Sequence, residues 1–399
     1  MISFERGLRV KPVTANDMRD INRTCILEYL RQNGKASRSQ IAYDLSLSLS
    51  SVVRITDELM EEKLICLQGE YEFSGGRRRP LIELDADRNV VASATLGGQS
   101  AQACICDMLG NILYSETLEH HAKGEECILF LQGMIDRALK SVSSGKIVRG
   151  ISIGVPGIVH DANRVMAAPA IGMDGCMLAD ALAPHYPYPV FVENDVNLAA
   201  LGELWFGYGK SCTSLLYIHI GTLIGMGIVL DRFIFRGTHH GAGELGYMLL
   251  DSGELKNEYP NLGALEGKLS GYGLQLQAKE KMEKLGRYHE ASMVTAEELF
   301  KLAQREGWAQ AIVQEFEEKL ALVVIAISAL LDPAIIVLGG GVMKSAGKDM
   351  PVIRGYVANK TPNPIRLEHS SLGQDARILG GYVNIFHHVT RYGVYRESV

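Results

Sequence analysis

The sequence predicts an α/β protein in two parts: an N-terminal winged helix-turn-helix, then a larger unit made of two similar α/β halves. Three observations carry this. The first eighty residues hold three short helical periodicities followed by a strand pair. From Asn89 onward, short apolar runs alternate with helical ones. Each half of this later part opens on a glycine-punctuated hairpin, at Gly97-Gly98 and at Gly221.

At 399 residues, two or three domains are expected. The boundaries are drawn at 1–86 and 87–399, with one lobe over about 87–200 plus the C-terminal helix and a second over about 201–375. Apolar content of 47% and charged content of 22% are those of a globular protein. No run approaches the ~18 apolar residues of a membrane helix. The start, MISFERGLRVK, lacks the apolar core of a signal peptide, so no membrane partner and a cytoplasmic location are expected. The seven Cys contain no CxxC pair, and Cys104 and Cys106 fall on one strand face as buried thiols. A net charge of −6 argues against a broadly basic nucleic-acid coat but leaves room for a local patch.

In the N-terminal part, a first helix is expected over 18–33, with Ile21, Ile26, Tyr29 and Leu30 inward and Asn33-Gly34 as its stop. Ser37-Arg38-Ser39-Gln40 is a capping-box pattern for a short second helix ending near Leu45-Ser46. Ser48 then caps a third helix that buries Val52, Ile55, Leu59 and Met60. In a helix-turn-helix the N-terminal residues of this helix meet the bases. Here they are Leu49, Ser50, Ser51 and Arg54, beside the cap Ser48. Strands at 65–68 and 80–84 enclose a wing loop carrying Arg77, Arg78 and Arg79 behind Gly75-Gly76, suited to phosphates or a minor groove. Residues 1–84 carry 13 basic against 12 acidic side chains, so affinity rests on charge placement and on two copies acting together. Double-stranded DNA is the expected partner.

The larger part begins with strands at 90–96, 101–107 and 112–117, a helix over 124–145 and a buried strand at 148–155. A short helix is expected at 176–183. The second half repeats the pattern, with strands at 214–220, 224–230 and 233–236 and a polar, glycine-rich segment at 237–246. Helices at 263–285, 295–305 and 308–331 follow, then a strand at 334–338, a helix at 346–360, a strand near 365–368 and a final helix at 376–391.

The chain is organised around 189–209, PVFVENDVNLAALGELWFGYG. A buried strand turns at Glu193-Asn194-Asp195 directly into a helix, at the carboxyl edge where open α/β sheets bind ligands. Asp195 there can accept a ligand hydroxyl or take its proton. The alternative is that Asn194 and Asp195 only cap the helix.

This ordered set resembles the ROK family (repressors, open reading frames and sugar kinases), in its transcription-factor branch. The resemblance rests on the winged helix with its Ser-Gly-Gly-Arg-Arg wing, Gly154-Val155-Pro156-Gly157, Glu193 to Asn197 with Gly202-Glu203, Gly243-Glu244-Leu245-Gly246, Leu265-Glu266 and Val337 to Gly341. It implies an actin-like ATPase fold of two lobes, the ROK sugar-kinase fold, with a sugar in the cleft. Asn194, Asp195, Glu244 and Glu266 match the family's sugar ligands, and Asp195 its catalytic base. Tyr247 stands where the family has a zinc-bound His that also touches sugar, and Ala170 where it has an Asn. The thiolate run of the zinc motif is replaced by residues 257–266, and no Cys follows Cys212. Thr95 replaces the Asp of the family's first phosphate loop, Gln99 its hydroxyl residue, and Leu223 a glycine of the second.

These departures predict a protein that is not an enzyme, with Asp195 a vestigial base and with neither a metal nor another cofactor. The expectation is a transcriptional regulator, most simply a repressor of carbohydrate genes, answering to a carbohydrate effector. It would bind an inverted-repeat operator as a homo-oligomer, dimer or tetramer. A sugar kinase and a regulator controlled by a protein partner are the alternatives.

Overall fold

The computed structural model describes residues 14–74, 77–259 and 262–390, without the side chains of 15 and 70–78. Thr14 opens α1 (Ala15–Asn33) through a capping box with Asp17. The helix therefore starts three residues earlier than 18–33 allowed. Ile26, Leu27 and Leu30 form its buried stripe, while Ile21 is 37% exposed. After β1 (Ala36–Ser37) come α2 (Arg38–Asp44) and α3 (Leu49–Glu61), whose caps Ser37 and Ser48 accept from the amides of Gln40 and Ser51. β2 (Ile65–Ser74) and β3 (Arg77–Leu84) pair antiparallel as far as Ser74 opposite Arg77, and β1 adds a third strand on β3. Arg77, Arg78 and Arg79 thus belong to a strand and not to the expected long loop, because the ladder continues past a bulge between Gln68 and Tyr71. Gly75 and Gly76 lie outside the described residues.

The first large sheet contains β4 (Asn89–Leu96), β5 (Ser100–Asp107) and β6 (Ile112–Glu119), followed by α4 (Glu125–Lys140) and β7 (Ile147–Val155). A small sheet of β8 (Ile158–His160), β9 (Arg164–Ala167) and β10 (Cys176–Met177) precedes α5 (Leu178–Leu182), β11 (Val190–Asn194) and α6 (Asp195–Phe206). The second large sheet begins with β12 (Leu215–Ile220), β13 (Ile224–Leu230) and β14 (Phe233–Ile234). Helices α7 (Glu266–Leu269), α8 (Gly271–Lys284), α9 (Tyr288–Ala291), α10 (Ala296–Leu302) and α11 (Gly307–Leu331) lead to β15 (Ile336–Gly339). Then come α12 (Gly341–Ala346), α13 (Met350–Val357), β16 (Leu367–His369) and α14 (Asp375–Thr390).

The first sheet runs β11-β7-β4-β5-β6 and the second β14-β13-β12-β15-β16. In the first, β4 is antiparallel to β5 and parallel to β7; in the second, β12 is antiparallel to β13 and parallel to β15. Each half thus opens on an antiparallel hairpin whose first strand also pairs in parallel with a strand that returns through a helix. The two halves share this unit as well as their sequence pattern. The expected helix at 263–285 is two, because Ser270 is extended (ψ 158°) and its hydroxyl caps α8 through Gly273 N. The expected 346–360 helix is the shorter α13, with Pro351 in its first turn, and α12 stands before it where no helix was expected.

Helices α6 and α14 lie in close contact. A β-carbon on Gly380 would stand 1.7 Å from Leu198 O, and one on Gly202 2.0 Å from Ala376 O, so only glycine lets the backbones approach this far. Both helices end on α1. The Arg31 guanidinium lies 4.2 Å over the Trp205 ring, and Thr24 Oγ1 donates to Thr390 O at 2.7 Å. Ile26, Leu27, Trp205 and Phe386 share one buried core. The end of α3 is tied to the first sheet as well. Arg149 on β7 donates to Glu62 O (2.7 Å) and to Asn89 Oδ1 (2.5 Å), while Asn89 Nδ2 reaches Lys63 O at 2.7 Å. Among the described residues no helix is long and apolar enough to cross a membrane.

Candidate functional site

The strand-to-helix turn at β11–α6 forms one wall of a cleft between the two large sheets. The cleft is lined by Asn194, Asn197, Met226, His240, Gly243 and Glu244 among others. Asn194 caps α6: its Oδ1 accepts from Val196 N and Asn197 N at 2.9 Å each, and its Nδ2 donates to Gly157 O. Its acceptor is therefore spent on the helix, and one N–H remains for a ligand. Asn197 Nδ2 donates to Glu193 Oε1 at 3.0 Å, and Glu193 in turn pairs with Arg236 at 2.6 Å. Glu193 thus fixes the wall and does not face a ligand.

Asp195 is buried, and its Oδ2 accepts from Arg377 Nη1 at 3.1 Å. Arg377 sits on the first turn of α14, and its Nη1 is 3.7 Å from where a Gly97 β-carbon would be. The loop that resembles a phosphate loop thus has a side-chain cation against it. Thr95, just before that loop, is 2% exposed, with its methyl group packed towards Gly154.

Glu244 projects from the 237–246 segment. Burial of its carboxyl raises its pKa, and the negative charges of Glu266 and Asp195 raise it further. Glu266 is 8% exposed and accepts from Ile224 N (3.3 Å) and Gly263 N (3.4 Å). Burial lifts its pKa against those two bonds. Of the expected sugar ligands, Asn194 and Glu244 line the cleft, while Asp195 and Glu266 lie beside it, close enough for their charges to act on Glu244. Tyr247 is 53% exposed and does not line the cleft, because the turn Leu245–Tyr247 carries it past the edge.

Two residues, one beside the cleft and one lining it, are not marked by the sequence. Arg377 is 182 positions from Asp195, and no local pattern singles it out. His240 belongs to a His-His pair that reads as a polar loop, yet it has φ +57° and lines the cleft.

The donor set does not fit zinc. Among the described residues no cluster of three or more His, Cys, Asp or Glu side chains could hold a metal ion. The segment that would carry the thiolates is held by Glu254, 8% exposed, which accepts from Leu250 N and Asp251 N and ion-pairs with Lys268 on α7. Leu265 N also donates to Gly246 O at 3.0 Å.

On the N-terminal helices, Ser48 Oγ accepts from Ser51 N (3.1 Å) and lies within 3.1 Å of Ser50 Oγ and 2.8 Å of Ser51 Oγ. Ser48 is a cap first. Ser50 and Arg54 are exposed at the start of α3, beside Leu49 at 52%. Arg79 turns to α2, donating to Ser39 Oγ at 2.8 Å. The side chains of Arg77 and Arg78 lie outside the described residues.

Comparison with known proteins agrees with this architecture. The chain is 25% identical to the xylose repressor of Bacillus subtilis over 373 residues, covering 91% of this chain and 94% of that protein. It is 31% identical to the glucokinase of Halalkalibacterium halodurans over 245 residues, 58% of this chain and 74% of that one. A crystal structure of a ROK family transcriptional regulator, a homolog of the E. coli MLC protein, matches with a TM-score of 0.80 over 95% of this chain and 99% of that chain. At 21% identity that likeness is one of fold. The model of the ROK family matches residues 91–386, and the chain belongs to the ROK family.

Proposed function

We propose that this protein is a DNA-binding transcriptional repressor of carbohydrate genes, without kinase activity, controlled by a sugar bound between its two sheets. One observation carries the reading. The likeness to the xylose repressor covers 91% of the chain, a share that reaches into the N-terminal helices and hairpin. Residues 1–86 are then a winged helix-turn-helix whose Ser50, Ser51, Arg54 and Arg77 to Arg79 meet an operator, with Ser48 holding the helix start. Residues 87–399 are the two-lobed effector and dimerisation unit. Asn194, Asp195, Glu244 and Glu266 are its sugar ligands, and D-xylose is the first sugar to try. Two-fold symmetry of a homodimer makes an inverted repeat the natural operator.

Phosphoryl transfer depends on positioning and charge compensation around the transferred group. Thr95 and Leu223 remove family contacts to phosphate, and Arg377 ties up the residue that would act as base. A kinase is the second reading, favoured by the glucokinase likeness and by the retained Asp195. The test is fluorescence anisotropy of the full chain on DNA from upstream of its own gene, with and without D-xylose, D-glucose and N-acetylglucosamine, alongside an assay of sugar-dependent ATP turnover. Specific binding that one sugar releases, with no turnover, is expected. ATP turnover lost in Asp195→Ala would establish the kinase instead.

A further inference from the structure

His240, which lines the cleft, forms a reciprocal clasp with His160. His160 ends β8 beside the first large sheet, and His240 lies in the 237–246 segment beside the second. Their rings stack with centroids 4.0 Å apart and planes 20° from parallel. Each ring also bonds the other's segment: His160 Nε2 lies 3.2 Å from His239 O, and His240 Nδ1 lies 3.0 Å from Val159 O. A carbonyl only accepts, so both ring nitrogens must carry the proton. That fixes the neutral His240 tautomer and leaves Nε2 as a bare acceptor. The backbone of His240 is left-handed, at φ +57°, a conformation that is unfavourable for a non-glycine residue.

Resting on the effector reading above, we propose that His240 is a sugar-binding residue whose Nε2 accepts a hydroxyl of an uncharged sugar. It takes up a contact that Tyr247, 53% exposed and outside the cleft lining, does not make. The other cleft groups set the ligand class. Glu244 is a carboxylate acceptor, Asn194 keeps one N–H, and Asn197 keeps its carbonyl oxygen. Two cations reach residues next to this lining, Arg377 and Arg236, and each is already paired, with Asp195 and Glu193. An acceptor-rich wall takes the hydroxyl hydrogens of a neutral polyol and repels a phosphate. His160 acts as the positioning partner that holds the ring.

The test is calorimetric titration of the full chain with D-xylose, D-glucose and D-glucose 6-phosphate, for the natural protein, His240→Phe and His160→Phe. Phe at 240 keeps a ring to stack on His160 and removes the nitrogen. Thermal midpoint and sugar-free operator affinity serve as folding controls. The natural protein is expected to bind a neutral sugar and to reject the 6-phosphate. His240→Phe should weaken that sugar about tenfold, the upper end for one neutral hydrogen bond. His160→Phe should stay within about threefold, since the lost bond to His239 O is not to the sugar. Among monodeoxy analogues of the bound sugar, one should bind the natural protein more weakly than the parent sugar does, yet bind His240→Phe as well as the parent does. Unchanged affinity in His240→Phe, or tighter binding of the 6-phosphate than of glucose, overturns the assignment of His240 while leaving an effector in place. Absence of any sugar binding by the natural protein overturns the effector reading, and this assignment with it.

Discussion

The guanidinium of Arg377 stands 3.1 Å from the carboxylate of Asp195, joining the first turns of α14 and α6. Both side chains are largely buried, at 19% and 7% exposure, so each is the other's main compensation for lost water. Removing one partner leaves a buried charge unmatched. Arg377→Ala and Asp195→Ala should each lower stability by about 3 kcal/mol, read from urea midpoints at constant m. The double variant should cost clearly less than the sum, because the second substitution removes the orphan. Strict additivity would mean that the pair is a contact without coupling.

The α6–α14 contact depends on two glycines. A methyl group at Gly202 or Gly380 would overlap backbone carbonyls of the facing helix, and backbone cannot swing aside as a side chain can. Gly202→Ala and Gly380→Ala should each cost at least about 2 kcal/mol, near the upper range for overpacking. Gly267→Ala is the control, since a β-carbon there meets no atom within 4 Å. It should change the thermal midpoint little.

How much of this was legible in the sequence follows from distance along the chain. Caps and turns are local, so Ser37, Ser48 and Asn194 announced their helices correctly. Strand order was not readable, although the likeness of the two halves was. The shared antiparallel-and-parallel unit emerges from pairings such as β12 with β15, more than a hundred residues apart. The carboxylates of the cleft were legible because each lies in a short motif. Arg377 was not, since an Arg on the polar side of a helix reads as solvated until its partner is known. His240 reads in the sequence only as part of a polar loop, because a His-His pair carries no sign of the carbonyl that orients it. The Arg triplet misled in the opposite sense, since three charges after a glycine pair read as a loop while the backbone there continues its ladder.

Glu317 on α11 gives the fold a pH dependence with a definite sign. Its side chain is buried near Asp349, and burial first, then the Asp349 charge, lift its pKa to about 7 from an ordinary 4.5. The folded state therefore holds this proton more tightly than the unfolded chain does. Its ionisation costs no stability below about pH 4.5, an increasing amount up to pH 7, and a constant amount above. Glu317→Gln removes the penalty and keeps the shape. The variant should gain thermal stability over the natural protein at pH 8 and little at pH 5. Equal gains at both would assign the effect to packing and not to charge.

Arg54 and Arg149 separate contact with DNA from support of the element that contacts it. Arg54 is exposed on the early part of α3, whereas Arg149 lies on β7 and holds the far end of the same helix through Glu62 O. If α3 enters the groove, Arg54→Ala removes a charge from the interface. A phosphate contact would appear as a drop of about one in the slope of log affinity against log salt. Arg149→Ala leaves the interface charge untouched but frees the helix end, which then has to be ordered on binding. Operator affinity should fall about tenfold, or 1.4 kcal/mol, at every salt concentration with the slope unchanged. Sugar affinity should stay as in the natural protein for both variants, since neither side chain lines the cleft. Anisotropy titrations at four salt concentrations distinguish the two patterns. A changed slope in Arg149→Ala would place that residue at the DNA and dissolve its role as a mount.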